Sequence, residues 1–334
     1  MPELRASAPA GFSEERWQQL SSVRRTPVTE KEMAAYLEEL AKSDSQRAMA
    51  LAIAEKNDRL RQALQGAVLH GWASVSPDDA AAWALAQPDG EKQAAMEVVL
   101  AGAARLPELA LKLGLRLCQN EPALASDYGQ FLVHGLTELG EYEAAARFAA
   151  ENKIGNQGGL LNMAFTEWAS REPERALAAS NSISNPEARS AAFQGVIMGW
   201  IMANPAATAA FGATMAPGED RTQVISQSLP QWASRDPLAA SEWMLKTIQP
   251  GPDLDAGAAA VAAMPNLVSQ RPEIAVSWAE NIAEPLLRAN TLRVIAQQWV
   301  ERDAAGLRRF IETNPNLAPA DRSALQEGLN QPSG

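Results

Sequence analysis

The amino-acid sequence predicts an all-α fold: a right-handed superhelical α-solenoid of about nine helix–turn–helix repeats with a period of about 32 residues. Three observations predict it. A frame of tryptophan, proline and alanine recurs along the chain. Prolines preceded by N-capping residues mark helix starts within that frame. No stretch alternates apolar and polar residues with the period of two that is typical of a β-strand.

The frame is a tryptophan, four residues, a proline, two residues, an alanine, two residues and an aromatic residue. It is clearest in GWASVSPDDAAAW (71–83) and QWASRDPLAASEW (231–243). Taking the proline position as an anchor, the anchors are Ser45, Pro77, Pro107, Glu141, Pro173, Pro205, Pro237, Pro272 and Ala304. Five of the eight steps between them are 32 residues. The position five before the anchor is a tryptophan in Trp72, Trp168, Trp200, Trp232 and Trp299.

Each unit is predicted to contain two helices. Ser76, Glu172, Asn204 and Asp236 each precede a proline. Proline suits the first helical position because its missing N–H would have no partner there, and three of the four preceding residues are favoured N-caps. Two short helices cannot bury a core alone, so each pair must stack on its neighbours. We expect the recurring alanine to let helices approach closely and the tryptophans to be core residues.

Residues 1–12 are predicted to be a disordered tail and residues 13–330 a single α–α solenoid domain. Polar segments at 13–22 and 318–329 have the character of end caps, which solenoids need to cover their terminal apolar faces.

LGEYEAAARFAAE (139–151) resembles the second half of a tetratricopeptide repeat, and the proline-marked helices are similar to HEAT repeats. The period of 32 is shorter than the 34 of the tetratricopeptide family, and the proline lies at a helix start inside the unit. The resemblance implies a helical-repeat solenoid of tetratricopeptide or HEAT type. It carries over no functional residue, because the matching positions are packing positions.

Composition excludes several classes of protein. Apolar residues are 46% of the chain and the net charge is −11, so a sizeable core and an acidic surface are expected. No region is basic enough for nucleic acid, and no apolar run approaches the ~20 residues of a membrane span. Residues 1–17 contain no hydrophobic signal core. We therefore expect a soluble protein without membrane insertion, in the cytoplasm unless a signal was removed from the chain.

Few residues suggest chemistry, and the sequence predicts no catalytic residue, metal ligand or cofactor. His70 and His134 lie two units apart, on the order of 20 Å, too far to share a metal. Asp253 and Asp255 form a D-x-D pair without a third ligand, so a solvated loop with Asp255 capping the next helix is expected. The lone Cys118 is expected to be a buried thiol.

A recurring arginine needs an interaction that offsets its unfavourable position. Arginine stands sixteen residues before the anchor at Arg61, Arg189, Arg221 and Arg288, in the first turn of a helix, where a cation opposes the helix dipole. A salt bridge to a neighbouring unit and an arginine ladder for an acidic ligand are both open at this point. The tryptophans could likewise stack a ligand, but a recurring position is typical of core.

The function expected from these features is a non-enzymatic scaffold that binds a protein or peptide, with binding residues unknown. The alternative is an enzyme or enzyme accessory in which a helical superhelix surrounds carbohydrate or peptidoglycan. That alternative requires two carboxylates ~5–10 Å apart across a groove. Under either hypothesis the functional surface consists of residues that differ between the copies.

Overall fold

The computed structural model describes residues 13–153, 156–247 and 251–330; the predicted tail 1–12 lies outside them. The fold is all-α, and these residues contain helices and turns but no β-strand. Within the same ranges no helix combines the length and the apolar character that crossing a membrane requires.

The helices, in chain order, are α1 (Glu14–Ser22), α2 (Pro27–Ala41), α3 (Ser45–Ile53), α4 (Asp58–Ala73), α5 (Pro77–Leu85), α6 (Asp89–Ala103), α7 (Pro107–Asn120), α8 (Ala125–Glu138), α9 (Tyr142–Glu151), α10 (Gln157–Ala169), α11 (Pro173–Asn181), α12 (Pro186–Ala203), α13 (Pro205–Thr214), α14 (Glu219–Arg235), α15 (Pro237–Thr247), α16 (Pro252–Ala262), α17 (Pro265–Gln270), α18 (Pro272–Glu280), α19 (Pro285–Thr313) and α20 (Pro319–Asn330). A short 3₁₀ helix spans Pro122–Leu124. The chain divides into two compact units, Met1–Val196 and Ile197–Gly334.

Helix starts follow the predicted anchors closely. A helix begins at Ser45, Pro77, Pro107, Pro173, Pro205, Pro237 and Pro272. The helix expected at Glu141 begins one residue later, at Tyr142. At the last anchor α19 is continuous by hydrogen bonding, but Asp303 has φ −149° and ψ 75°, close to the −146° and 75° of Asp44 before α3. The backbone therefore breaks at the predicted position, and α19 is two helices joined end to end.

Capping follows the prediction at two of the three favoured residues. The side-chain oxygens of Asp236 and Asn204 each accept the backbone N–H three residues on, at 3.0 Å. Ser76 makes no cap bond to the backbone, because its hydroxyl donates instead to the Asp79 carboxylate at 2.7 Å. Glu172, the weak candidate, makes no cap bond either; its carboxylate accepts the indole N–H of the tryptophan four residues earlier.

The recurring small residue is buried throughout. The fourth residue of each helix that starts at an anchor is fully inaccessible to solvent: Ala48, Ala80, Ala110, Ala145, Ala176, Thr208, Ala240, Ala275 and Leu307. A helix places positions i, i+3, i+4 and i+7 on one face, so a fixed offset from the helix start selects the inward face every time. Small side chains at most of these positions let the short helix lie close to its long partner.

Within each unit the long helices pack side by side in one layer. In the first unit α2 packs on α4, α4 on α6, α6 on α8 and α8 on α10; in the second, α14 packs on α16, α16 on α19 and α19 on α20. Glycine permits the closest approaches. A methyl group at Gly71 would collide with the carbonyl oxygen of Glu38, and one at Gly102 with that of His70. These helices therefore meet backbone to backbone.

The second unit departs from the simple pair at one place. Two helices per unit are predicted, so a single helix is expected before Pro272, but this segment forms two helices, α16 and α17. Pro265 is the first residue of α17. Proline disfavours the helical conformation for the residue before it and removes a backbone donor, which accounts for the break.

Candidate functional site

The side chains of the recurring arginines form hydrogen bonds with the C-terminal end of the preceding helix. Their guanidinium groups donate to backbone carbonyls in four equivalent pairs: Arg61 to Glu55 at 3.1 Å, Arg189 to Ile183 at 3.3 Å, Arg221 to Met215 at 3.2 Å and Arg288 to Glu280 at 3.3 Å. Each carbonyl lies at the end of a helix or within two residues after it. Helix C-termini carry partial negative charge, which offsets the unfavourable position of the cation at the start of its own helix. The recurrence thus has a structural cause.

Asp255 does not lie in a solvated loop, and that prediction was wrong. It is the fourth residue of α16 and only 4% exposed. Its two carboxylate oxygens accept the backbone N–H groups of Ala283 at 2.7 Å and Glu284 at 2.9 Å. Asp255 therefore holds the turn before α19 instead of capping α16, whose N-cap residue is Gly251. Asp253 lies in the first turn of the same helix.

Of the two histidines and the cysteine, His70 and Cys118 make side-chain contacts within the fold. Nδ1 of His70 lies 2.9 Å from a carboxylate oxygen of Glu38, which links α4 to α2. His134 is exposed on α8. Cys118 is buried, and burial raises the pKa of its thiol, an effect only partly offset by the hydrogen bond that Asn152 donates to the sulfur. Over the described ranges, no three histidine, cysteine or carboxylate side chains are grouped as metal ligands.

Three tryptophans of the frame pair with the aromatic residue of the following helix. Ring centroids are 5.1 Å apart in Trp200–Phe211, 5.5 Å in Trp232–Trp243 and 5.3 Å in Trp299–Phe310. The burial of the tryptophans at the frame positions varies. Trp168, Trp200 and Trp299 are buried, whereas Trp72, Trp83, Trp232 and Trp243 are half-buried. The pairs pack in the core, but the half-buried rings remain partly exposed to solvent.

A groove opens between α4 and α6 in the first unit. The two helices meet closely near their C-terminal ends, at Gly102, and residues of their N-terminal halves line a cavity of about 440 Å³. Trp83 and Gln87, at the end of α5, contribute to its lining together with Gln62 and Gln65 of α4. Sequence reasoning did not single out these glutamines. Gly66, a glycine inside an otherwise regular helix, is the sequence feature that could have indicated the groove.

A second cleft, of about 480 Å³, lies in the second unit between α18, α19 and the start of α20. Arg288 forms an ion pair with Asp321, with 3.1 Å between Nε and the nearer carboxylate oxygen, and Asp321 is buried. Glu280 is half-buried in the same cleft. Desolvation by burial raises the pKa of Glu280, the Asp321 charge raises it further, and Arg288 lowers it.

An apolar patch is exposed elsewhere in the second unit. The side chains of Met198, Met202 and Leu238 are 50%, 60% and 52% exposed. The Arg235 guanidinium, at the end of α14, donates to the carbonyl oxygen of Met202 at 3.2 Å, which brings the end of α12 beside the α14–α15 turn. We refer to Met198, Met202 and Leu238 as the methionine patch.

Comparison of this chain with protein-family models, curated proteins and solved structures gave no match. Functional inference therefore rests on the residues and geometry described above.

Proposed function

We propose that the chain is a helical-repeat solenoid of about nine helix pairs that acts as a non-enzymatic scaffold, binding a segment of a protein partner. The observation that supports binding is the methionine patch. Clustered large apolar side chains that are half exposed or more are typical of protein interaction surfaces, and methionine adapts readily to different partners. The frame residues are committed to packing, so the variable positions are the ones free to recognise a partner.

The partner we propose presents apolar side chains flanked by lysine or arginine. The chain has a net charge of −11, so a basic segment is attracted over distance while an acidic one is repelled. Apolar contact with the methionine patch then supplies the short-range part of binding.

Site-specific photo-crosslinking in the native host tests this proposal. A photoreactive amino acid at position 202 should capture a partner, and the double variant Met198→Ser/Leu238→Ser should reduce that capture at least tenfold. Leu286→Ser is the matched control, since Leu286 is 67% exposed in the same unit but outside the patch. Equal capture by the patch variant and the control, with melting temperatures unchanged in both, would contradict the proposal.

The second candidate is an enzyme or enzyme accessory acting on carbohydrate or peptidoglycan. The cleft that contains Glu280 and Asp321 favours it, because two carboxylates with different environments can divide acid and base roles. Against it, the ion pair with Arg288 commits Asp321 to structure. Release of soluble sugar from labelled peptidoglycan that is abolished by Glu280→Gln would favour the enzyme over the scaffold.

A further inference from the structure

The lining of the groove between α4 and α6 includes a glycine that weakens its own helix. Gly66 lies inside α4, where glycine costs about 1 kcal/mol relative to alanine. A methyl group there would meet no atom within 4 Å, so close packing does not require the glycine. Gly71, in the same helix, is the contrast: a methyl group there would strike the Glu38 backbone. Gly66 therefore has no packing role, and its effect is to leave space in the groove.

The polar groups offered to that space are amides. Gln65 is half-buried and Gln62 exposed, and neither side chain makes a hydrogen bond to another part of the described chain. Gln87 donates its Nε2 to the carbonyl of Trp83 at 2.9 Å, which leaves its amide oxygen as an acceptor. An amide both donates and accepts hydrogen bonds without carrying charge.

The charged residues of the lining are engaged or peripheral. The Arg61 guanidinium donates to the Glu55 carbonyl at 3.1 Å and to the Asp58 carboxylate at 2.6 Å. Glu91 is exposed in the first turn of α6. An anionic ligand would therefore find the Arg61 guanidinium already bonded and would be repelled by the Glu91 carboxylate, so a negative charge in the groove is unfavourable. The groove suits an uncharged ligand rich in hydroxyl groups.

An aromatic ring completes the chemistry. Trp83 is half-buried and lines the groove with the apolar side chains of Leu69 and Val98. An indole supplies a large, rigid apolar surface at little cost in side-chain entropy. The volume of about 440 Å³ is within the range of small-molecule sites.

We propose that this groove binds a neutral saccharide of one or two rings. The C–H face of one ring packs on Trp83, and the ring hydroxyls exchange hydrogen bonds with Gln62, Gln65 and Gln87. This inference is independent of the proposed scaffold function, which depends on the methionine patch in the second unit.

Nuclear magnetic resonance of ¹⁵N-labelled indole groups in the full chain tests the site. The probes are N-acetylglucosamine, chitobiose, cellobiose and maltose at millimolar concentration. Trp83→Phe assigns the Trp83 resonance, which should shift saturably with at least one probe. Trp243→Phe is the matched control, because Trp243 holds the same frame position at a half-buried site in the second unit. The control variant should bind the same probe with unchanged affinity.

A graded pair of variants at position 66 tests the location. Gly66→Ala should preserve binding, while Gly66→Met should fill the groove and weaken binding at least tenfold; both should retain the wild-type melting temperature or raise it. The proposal is overturned if no probe shifts the Trp83 resonance, or if Gly66→Met binds as well as Gly66→Ala. It is also overturned if the neutral peptide acetyl-Gly-Ser-Gln-amide shifts that resonance while every sugar leaves it unmoved.

Discussion

Asp255 accepts a hydrogen bond from the backbone N–H of Glu284 at 2.9 Å, across 29 positions of sequence. The Glu284 side chain in turn accepts the N–H groups of Leu286 and Leu287 and so caps α19. A buried carboxylate in α16 thus holds the N-cap residue of α19. The relay connects α16 to α19 through the turn that joins α18 to α19.

Replacing Asp255 by alanine is expected to lower the free energy of unfolding by about 3 kcal/mol, because two backbone N–H groups lose a charged acceptor that is itself buried. Urea unfolding followed by circular dichroism measures the change. Asp220→Ala is the control: Asp220 lies in the first turn of α14 but is exposed, so its loss should cost no more than about 1 kcal/mol. Equal effects of the two substitutions would show that the hydrogen bonds to Asp255 contribute nothing.

Arg189→Met is expected to destabilise the chain by about 1 kcal/mol, because it keeps the apolar stem but removes the guanidinium from the Ile183 carbonyl. Arg189→Lys should lie between the variant and wild type, since an ammonium keeps the charge but not the planar donor geometry. The same unfolding assay reads the result. Arg171→Met is the control: Arg171 is likewise exposed, two residues beyond the end of α10, and its replacement should be nearly neutral. A neutral Arg189→Met would show that the arginine does not stabilise the helix end.

Replacing a fully buried and a half-buried tryptophan by alanine should lower stability by different amounts. Trp278 is inaccessible to solvent and its indole N–H donates to Ser241 at 2.6 Å, so Trp278→Ala should cost about 4–5 kcal/mol. Trp232 is half-buried against Trp243, and Trp232→Ala should cost about 2–3 kcal/mol. Melting temperatures and urea midpoints should fall in that order. The reverse order would mean that the frame tryptophans matter more than their burial indicates.

Cys118 should resist thiol reagents in the folded protein. Its pKa is raised by burial, so little thiolate is present, and its sulfur is out of reach of solvent. Labelling with a chromogenic disulfide at pH 8 should be at least a hundredfold slower than in urea-unfolded protein, and the single cysteine makes the signal unambiguous. Labelling at the unfolded rate would place the thiol at the surface.

Glu280→Gln should stabilise the protein at neutral pH but not in acid. Burial, and secondarily the Asp321 charge, raise the pKa of Glu280 in the folded state, so the folded chain binds more protons than the unfolded chain between the ordinary glutamate pKa, about 4.3, and the raised value. Stability conferred by the neutral carboxyl is therefore lost as pH rises through that window. Melting curves of the variant and wild type should coincide near pH 4 and diverge by pH 7. A variant less stable than wild type at pH 7 would contradict this sign.

The sequence located most helix starts because proline and N-capping residues act within a few positions along the chain. The helices that begin at Pro173, Pro205 and Pro237 follow from that local chemistry. The helix predicted to start at Glu141 starts at Tyr142 instead. No proline stands at that position, so local chemistry does not fix the first residue of the helix there. The buried alanine position followed as well, because helical periodicity fixes which face a given offset selects.

The sites were far less predictable. Gly66 and Gly71 belong to one helix and look alike in sequence, yet one faces open space and the other the Glu38 backbone. Asp255 looked like a loop residue because the atoms that it binds lie almost thirty positions away. Gln62 and Gln65 carried no recognisable motif.

By itself the sequence determined the all-α class, the recurring helix starts and the inward position of the small residue, since each depends on short-range backbone geometry and periodicity. Only the tertiary structure decided which carbonyl each recurring arginine bonds to, where Asp255 is buried and where α4 and α6 line a groove. Those features depend on distances between helices, and a helix pair diverges or closes through contacts between residues that no local pattern connects.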